Sequence, residues 1–220
     1  MIDVAANLAR VRDQIARAAE RAGRDPTSVA LIAVSKLHDT DAIRAAYDAG
    51  QRRFGENYVQ EIEQKASALV TACPEIEWHF IGHLQRNKVK AVLRAHPVVH
   101  TVDSARLASE IAERATPSER VRVLAQVNVA REPQKSGASP EALDALVAHI
   151  RSLTTLELRG LMTIPPEHED PRSHFRALRE VAERHSLADL SMGMSADLDV
   201  AIAEGATLVR VGTAIFGPRA

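Results

Sequence analysis

The chain has 220 residues, 45% of them hydrophobic, which suits one large α/β domain with a full core. Its 28 basic and 29 acidic residues leave a formal charge of -1, and aromatics make up 3%, so neither nucleic acid nor an anionic membrane is an expected partner. A single cysteine, Cys73, fits a reducing compartment, no run approaches the roughly 20 apolar residues of a membrane span, and the start M-I-D-V-A-A-N-L lacks the features of a signal peptide, so a cytoplasmic location is expected.

Leu8, Val11, Ile15 and Ala18 recur at helical spacing before Gly23, which predicts an amphipathic helix over 4–22. Residues 29–36, V-A-L-I-A-V-S-K, form a short apolar, β-branched run that reads as a buried parallel strand ending on Lys36. Thr40 is then expected to cap a helix that stops at Gly50, and Arg53-Phe54-Gly55 makes a brief second strand. A helix over 57–72 and a third strand over 76–82 follow. A fourth strand over 98–102 leads to a helix capped by Ser104, and a fifth strand over 121–129 leads through R-E-P-Q-K-S-G to a helix opened by Ser139-Pro140-Glu141. The sixth strand spans 158–163, Asp170-Pro171 opens the next helix, and the seventh strand spans 190–193. A helix over 196–204 and an eighth strand over 207–211 complete the series.

Eight strands alternating with helices predict a single (β/α)8 barrel over 1–220, with a doubly wound open sheet as the alternative. Few residues follow the eighth strand, so the amino-terminal helix is expected to pack in that gap.

Ligands of such folds gather at the carboxyl ends of the strands, where Lys36 lies. Lysines near strand ends are mostly solvated, but one desolvated in an apolar pocket loses its proton more readily and forms a Schiff base with a carbonyl compound. The loops after strands seven and eight are a recurrent phosphate site. Ser195 is expected at the start of the helix over 196–204, Gly212 offers close backbone approach, and Thr213 offers a hydroxyl. A sugar phosphate and pyridoxal phosphate (PLP) both fit this pairing of lysine and phosphate cradle. Arg210, two residues before Gly212, is placed to meet a pyridine nitrogen, or to form a salt bridge inside the barrel. His79 and His83 straddle a strand end and face different ways, so no metal is expected. Glu56 reads as solvated or as a helix cap, and Cys73 as a small structural thiol.

The segments A-V-S-K at 33–36, F-G-E-N-Y-V-Q-E at 54–61, W-H-F-I-G-H-L-Q-R-N-K at 78–88, K-S-G at 135–137, G-L-M-T-I-P at 160–165, S-M-G-M-S-A-D-L-D-V-A-I from 191 and V-R-V-G-T-A-I-F-G to 217 resemble the pyridoxal phosphate homeostasis protein family across nearly the whole chain. That family is similar in fold to the barrel domain of alanine racemase. The resemblance implies Lys36 as the Schiff-base lysine, Ser195, Gly212 and Thr213 around the phosphate, Arg210 facing the pyridine nitrogen, and Asn57 and His83 lining the pocket. Family members commonly carry threonine after the lysine, where this chain has Leu37. The function so implied is a PLP carrier, a monomer that holds the cofactor and passes it to apo-enzymes without strong catalysis of its own. Racemization needs a second acid/base group, which a racemase of this class takes from another domain, and the chain stops soon after its eighth strand. A minimal racemase or decarboxylase is the alternative, and a Schiff-base aldolase acting on a sugar phosphate the third reading.

Overall fold

Eight parallel strands pair in chain order and the last closes on the first, giving the (β/α)8 barrel, in a computed structural model that describes residues 2–116 and 120–218. The strands are β1 (Ala30–Val34), β2 (Arg53–Glu56), β3 (Glu77–Phe80), β4 (Val98–Val102), β5 (Val121–Gln126), β6 (Leu156–Met162), β7 (Asp189–Ser191) and β8 (Leu208–Val211). Around them lie α1 (Val4–Arg21), α2 (Thr40–Asp48), α3 (Val59–Leu69), α4 (Val89–Leu93), α5 (Ala105–Arg114), α6 (Leu143–Ser152), α7 (Arg172–Arg184), α8 (Leu198–Ala203) and α9 (Thr213–Phe216).

Alternation along each strand sorts residues into two cores. Leu31, Ala33, Phe54, Phe80, Val123, Ala125, Leu161 and Val209 face outward into the large core beneath the helices. The next residues along face the lumen, where Val98, Leu124 and Met162 pack with Leu208 in a small apolar layer. Beside it the lumen is polar, with His79, His100, Ser191 and Arg210 all buried. A barrel interior must be filled, and here polar side chains fill it by satisfying one another.

The amino-terminal helix does pack where the ring would otherwise be open: α1 lies against α2, α8 and α9 and buries Val4, Leu8, Val11 and Ile15. Asn7 Nδ2 donates to the carbonyl of Ile215 at 2.9 Å, and Arg24 donates to the carbonyls of Ile202 and Ala206, both at 2.8 Å. After β8 the chain makes the one-turn α9 rather than coil.

Several expected boundaries move. Asp39, not Thr40, caps α2: its carboxylate accepts from the Ala42 N–H at 2.9 Å, and Thr40 already belongs to the helix. Residues 83–97 carry no predicted helix, yet a 3-10 turn at Arg86–Lys88 runs into α4. Strand five ends at Gln126, because Val127 and Asn128 turn to pair with Ala138 across the polar loop. Ser139 caps only a turn, and α6 begins at Leu143. The seventh strand runs Asp189–Ser191 and stops short of Gly193, whose φ of +92° turns the chain away. The helix expected over 196–204 is Leu198–Ala203, since the Asp197 carboxylate turns back to accept from the Met194 N–H at 2.5 Å.

Candidate active site at the barrel mouth

Lys36 follows β1 in phase with the lumen-facing Ile32 and Val34, half-buried at the mouth. Its two neighbours are clamped. Ser35 Oγ donates to Glu56 Oε1 at 2.7 Å, and Lys65 Nζ, from α3, donates to the Ser35 carbonyl at 2.8 Å, to Glu56 Oε1 at 2.8 Å and to Glu61 Oε2 at 2.6 Å. Glu61 Oε2 in turn accepts from the Leu37 N–H at 2.8 Å, with Leu37 at φ 63°. A leucine in the left-handed region is strained, and such strain persists only where the surroundings fix the backbone. The clamp therefore sets the direction in which Lys36 leaves the strand end.

Glu56 corrects the sequence reading: it is neither solvated nor a cap but wholly buried, because α3 brings Lys65 over it. Burial pushes its carboxyl up, outweighing the hydrogen bonds from Lys65 and Ser35 that act the other way, and its Oε2 meets no hydrogen-bond partner among the described residues. Burial also tends to raise Glu61, but the hydrogen bonds from Lys65 and the Leu37 N–H hold that carboxyl below its usual range.

Arg210 lies on β8 in register with Ile32 of β1 and is buried in the lumen. It forms no salt bridge there among the described residues. Its Nη1 donates to Ser191 Oγ at 2.7 Å and its Nη2 to the Thr163 carbonyl at 3.0 Å. Burial lowers the guanidinium to about 10, still charged at neutral pH. Two of its five donors are used in these bonds. A buried cation with donors to spare suits an acceptor arriving in the barrel mouth, which fits a pyridine nitrogen.

Gly212 packs against the end of β1, where a Cβ would stand 3.0 Å from the Val34 carbonyl oxygen, so glycine lets β8 end close to the lysine strand without a tight contact. Thr213 opens α9 and is exposed beside it. Ser195 is exposed in the turn after β7, three residues ahead of α8 rather than at its start. Asn57 and His83 meet in a cavity of about 320 Å³, shared with Thr101, Gln126, Lys135 and Ser136. His83 Nδ1 lies 3.3 Å from Ser136 Oγ. That cavity is lined from β2 to β6, whereas Lys36, Arg210, Ser195, Gly212 and Thr213 belong to the β1, β7 and β8 side of the mouth. His79 is buried in the lumen and His83 exposed at the rim.

Sequence reasoning missed Lys65, Glu61, Ser191, His100 and Thr163. The first two carried a legible signal, an i,i+4 Glu-Lys pair on the predicted helix over 57–72, but nothing marked that pair as buried. The others sit in apolar strand patterns, and only closure of the barrel brings them to Arg210.

Taken together, a closed (β/α)8 barrel with a strand-end lysine, a buried lumen arginine and glycine-bearing loops after β7 and β8 belongs to the alanine racemase class of barrels. The alanine racemase N-terminal domain family matches residues 6–220. A relative from Escherichia coli (strain K12), a pyridoxal phosphate homeostasis protein, is 44% identical over 230 residues, covering 100% of this chain and 98% of that protein. One of the same name from Pseudomonas aeruginosa is 45% identical over 225 residues, covering 100% and 97%. The chain therefore belongs to the pyridoxal phosphate homeostasis protein family. Among solved structures, PipY of Synechococcus elongatus PCC7942 with PLP bound superposes with a TM-score of 0.85 at 38% identity, covering 97% of this chain and 100% of that one. Alanine racemase from Corynebacterium glutamicum shares the fold, with a TM-score of 0.73 at 19% identity over 99% of this chain and 61% of that one.

Proposed function

We propose that this chain, as one barrel domain, binds PLP covalently through Lys36 and acts in PLP homeostasis as a carrier without appreciable turnover. The observation that carries the reading is a half-buried lysine with clamped backbone neighbours, opening onto a lumen that presents a buried guanidinium. The names of the relatives and the cofactor in PipY support the same ligand.

Bound PLP would supply an aldehyde that condenses with an amine and a ring that accepts electrons. Lys36 would hold it, with the clamp of Lys65, Glu56 and Glu61 aiming the amine. The Gly212 and Thr213 turn would take the phosphate, with Ser195 on the neighbouring loop, and Asn57 and His83 would border the open side. Arg210 can only donate, so beside the pyridine nitrogen it leaves that nitrogen unprotonated and the ring a weak electron acceptor. That favours storage over chemistry at the amino-acid carbon. Both tyrosines of the chain lie outside the lumen: Tyr47 on α2 donates to Glu75, and Tyr58 is exposed at the start of α3. Neither tyrosine is therefore placed to serve as the proton donor or acceptor that racemization needs on the second face. The carrier reading takes the acceptors to be apo-forms of PLP-dependent enzymes, and the working species to be a monomer in the cytoplasm.

Titration of the wild type and Lys36→Ala with PLP and with pyridoxal, followed by absorption, tests this reading. The wild type should turn yellow with PLP, bind pyridoxal far more weakly, and leave a panel of free amino acids unchanged; Lys36→Ala should stay colourless. Equal affinity for the two aldehydes would remove the phosphate site. Steady turnover of an amino acid by the wild type, lost in Lys36→Ala, would replace the carrier with a minimal racemase or decarboxylase.

A further inference from the structure

Arg210 heads an unbroken chain of hydrogen bonds that descends through the barrel to its amino-terminal rim. Its Nη1 donates to Ser191 Oγ at 2.7 Å, and that oxygen lies 2.9 Å from His100 Nδ1. His100 Nε2 lies 2.8 Å from His79 Nδ1, and His79 Nε2 lies 2.9 Å from Glu77 Oε1. Glu77 opens β3 and is held by Arg53 Nε at 3.0 Å and Arg122 Nη1 at 2.8 Å. Ser191 and His100 are wholly buried, and His79 is 2% exposed.

The two ends fix the protons between them. A guanidinium only donates and a carboxylate only accepts, while a neutral imidazole does one on each nitrogen. Starting from Glu77, His79 must carry its proton on Nε2, so its Nδ1 accepts from His100 Nε2–H. His100 Nδ1 then accepts from the Ser191 hydroxyl, which leaves the serine oxygen to accept from Arg210. With neutral imidazoles, this is the one arrangement that makes all four bonds.

We infer that His100 and His79 are positioning residues: they turn the Ser191 hydroxyl toward themselves and so aim Arg210 at the mouth, under the direction of Glu77 at the opposite face of the barrel. The proton order stands on this geometry alone, while its effect on a cofactor rests on the PLP reading above. The surroundings keep both rings uncharged. Burial pushes His100 well below the usual histidine range, and His79 and Arg210 act the same way against Glu77. Burial also lowers His79, helped by Arg53 and Arg122 and opposed by its bond to Glu77. Without the chain, the serine hydroxyl is free to turn, and the guanidinium loses a fixed acceptor in a site where unpaired donors are costly.

Nitrogen-15 histidine NMR on the full chain without cofactor tests the proton order directly. At pH 7 both His79 and His100 should be neutral with the proton on Nε2; a charged ring, or a proton on Nδ1 of either, overturns the inference. The effect on the site is read with His100→Phe and His100→Gln. The first removes both ring nitrogens, and the second keeps one acceptor and one donor. His100→Phe should bind PLP about tenfold more weakly, the scale of one lost hydrogen bond, with a shifted absorption band, and His100→Gln should recover most of both. Wild-type affinity and spectrum in His100→Phe, or no recovery in His100→Gln, would reduce the pair to packing. Failure of the wild type to bind PLP would sink the cofactor reading but leave the proton order measured by NMR standing.

Discussion

Replacing Lys65 by methionine keeps the bulk of its side chain and deletes its charge, which isolates the clamp beneath Lys36. The Lys65 side chain is 8% exposed, and its ammonium makes three bonds, of 2.8, 2.8 and 2.6 Å, to Ser35, Glu56 and Glu61. Its loss leaves Glu56, with no exposed side-chain surface, to face burial with only the Ser35 hydroxyl. Breaking a buried pair by removing one partner costs about 3–5 kcal/mol. At about 2–4 °C per kcal/mol for a chain of this size, the midpoint of thermal unfolding should fall by roughly 6–20 °C. Glu56 escapes part of this cost by taking a proton, and its carboxyl is already pushed up in the wild type, so the loss should be larger at pH 8 than at pH 6. The double variant Lys65→Met/Glu56→Gln removes the stranded charge and should recover most of the single variant's loss. Differential scanning calorimetry of the three chains at both pH values measures these differences. A single-variant loss below about 1 kcal/mol, or a double variant no more stable than the single one, would refute the clamp as a buried charge pair.

Stability should also fall on acidification because of the lumen histidines. Both have lowered values in the fold, so they favour folding fully above the ordinary histidine value near 6.5 and lose that contribution as pH drops below it. While each stays neutral in the fold, the loss approaches about 1.4 kcal/mol per pH unit per histidine; urea midpoints at pH 7.5 and 5.5 measure it, and equal midpoints would contradict it. Glu77, held far below the usual carboxylate range first by its bond to His79, should add its own loss only below about pH 4.5. At Gly82 a Cβ would meet the Asn57 carbonyl oxygen at 1.9 Å, against 3.0 Å to the Val34 carbonyl oxygen at Gly212. Gly82→Ala should therefore cost at least the roughly 1–3 kcal/mol of an overpacked core and more than Gly212→Ala, a ranking that chemical denaturation checks.

The fold is legible in the sequence because each strand and most helices carry their own local signal. The run from Val29 to Lys36 places the lysine at a strand end without reference to anything else in the chain, and Arg210 with Gly212 and Thr213 does the same for the eighth strand. Glu56 is misread because local rules judge a glutamate by its neighbours in sequence, whereas its partner Lys65 is a neighbour only once α3 folds back over β2. His100 and Ser191 are separated by 91 residues and touch only across the closed lumen. The local pattern sets Ser195 too close to its helix because the bond from the Met194 N–H to Asp197 is a matter of turn geometry.

Borohydride reduction of the PLP-loaded wild type, followed by peptide mapping, tests the central claim most directly. Reduction fixes a cofactor on whichever amine holds it, and the mouth region offers more than one: Lys65 behind the strand end and Lys135, whose Nζ donates to the Pro165 carbonyl at 2.9 Å. The reduced adduct should lie on the peptide containing Lys36, and Lys36→Ala should carry none. An adduct found mainly on Lys135, on Lys65 or on Lys88 in the native protein would contradict covalent binding through Lys36.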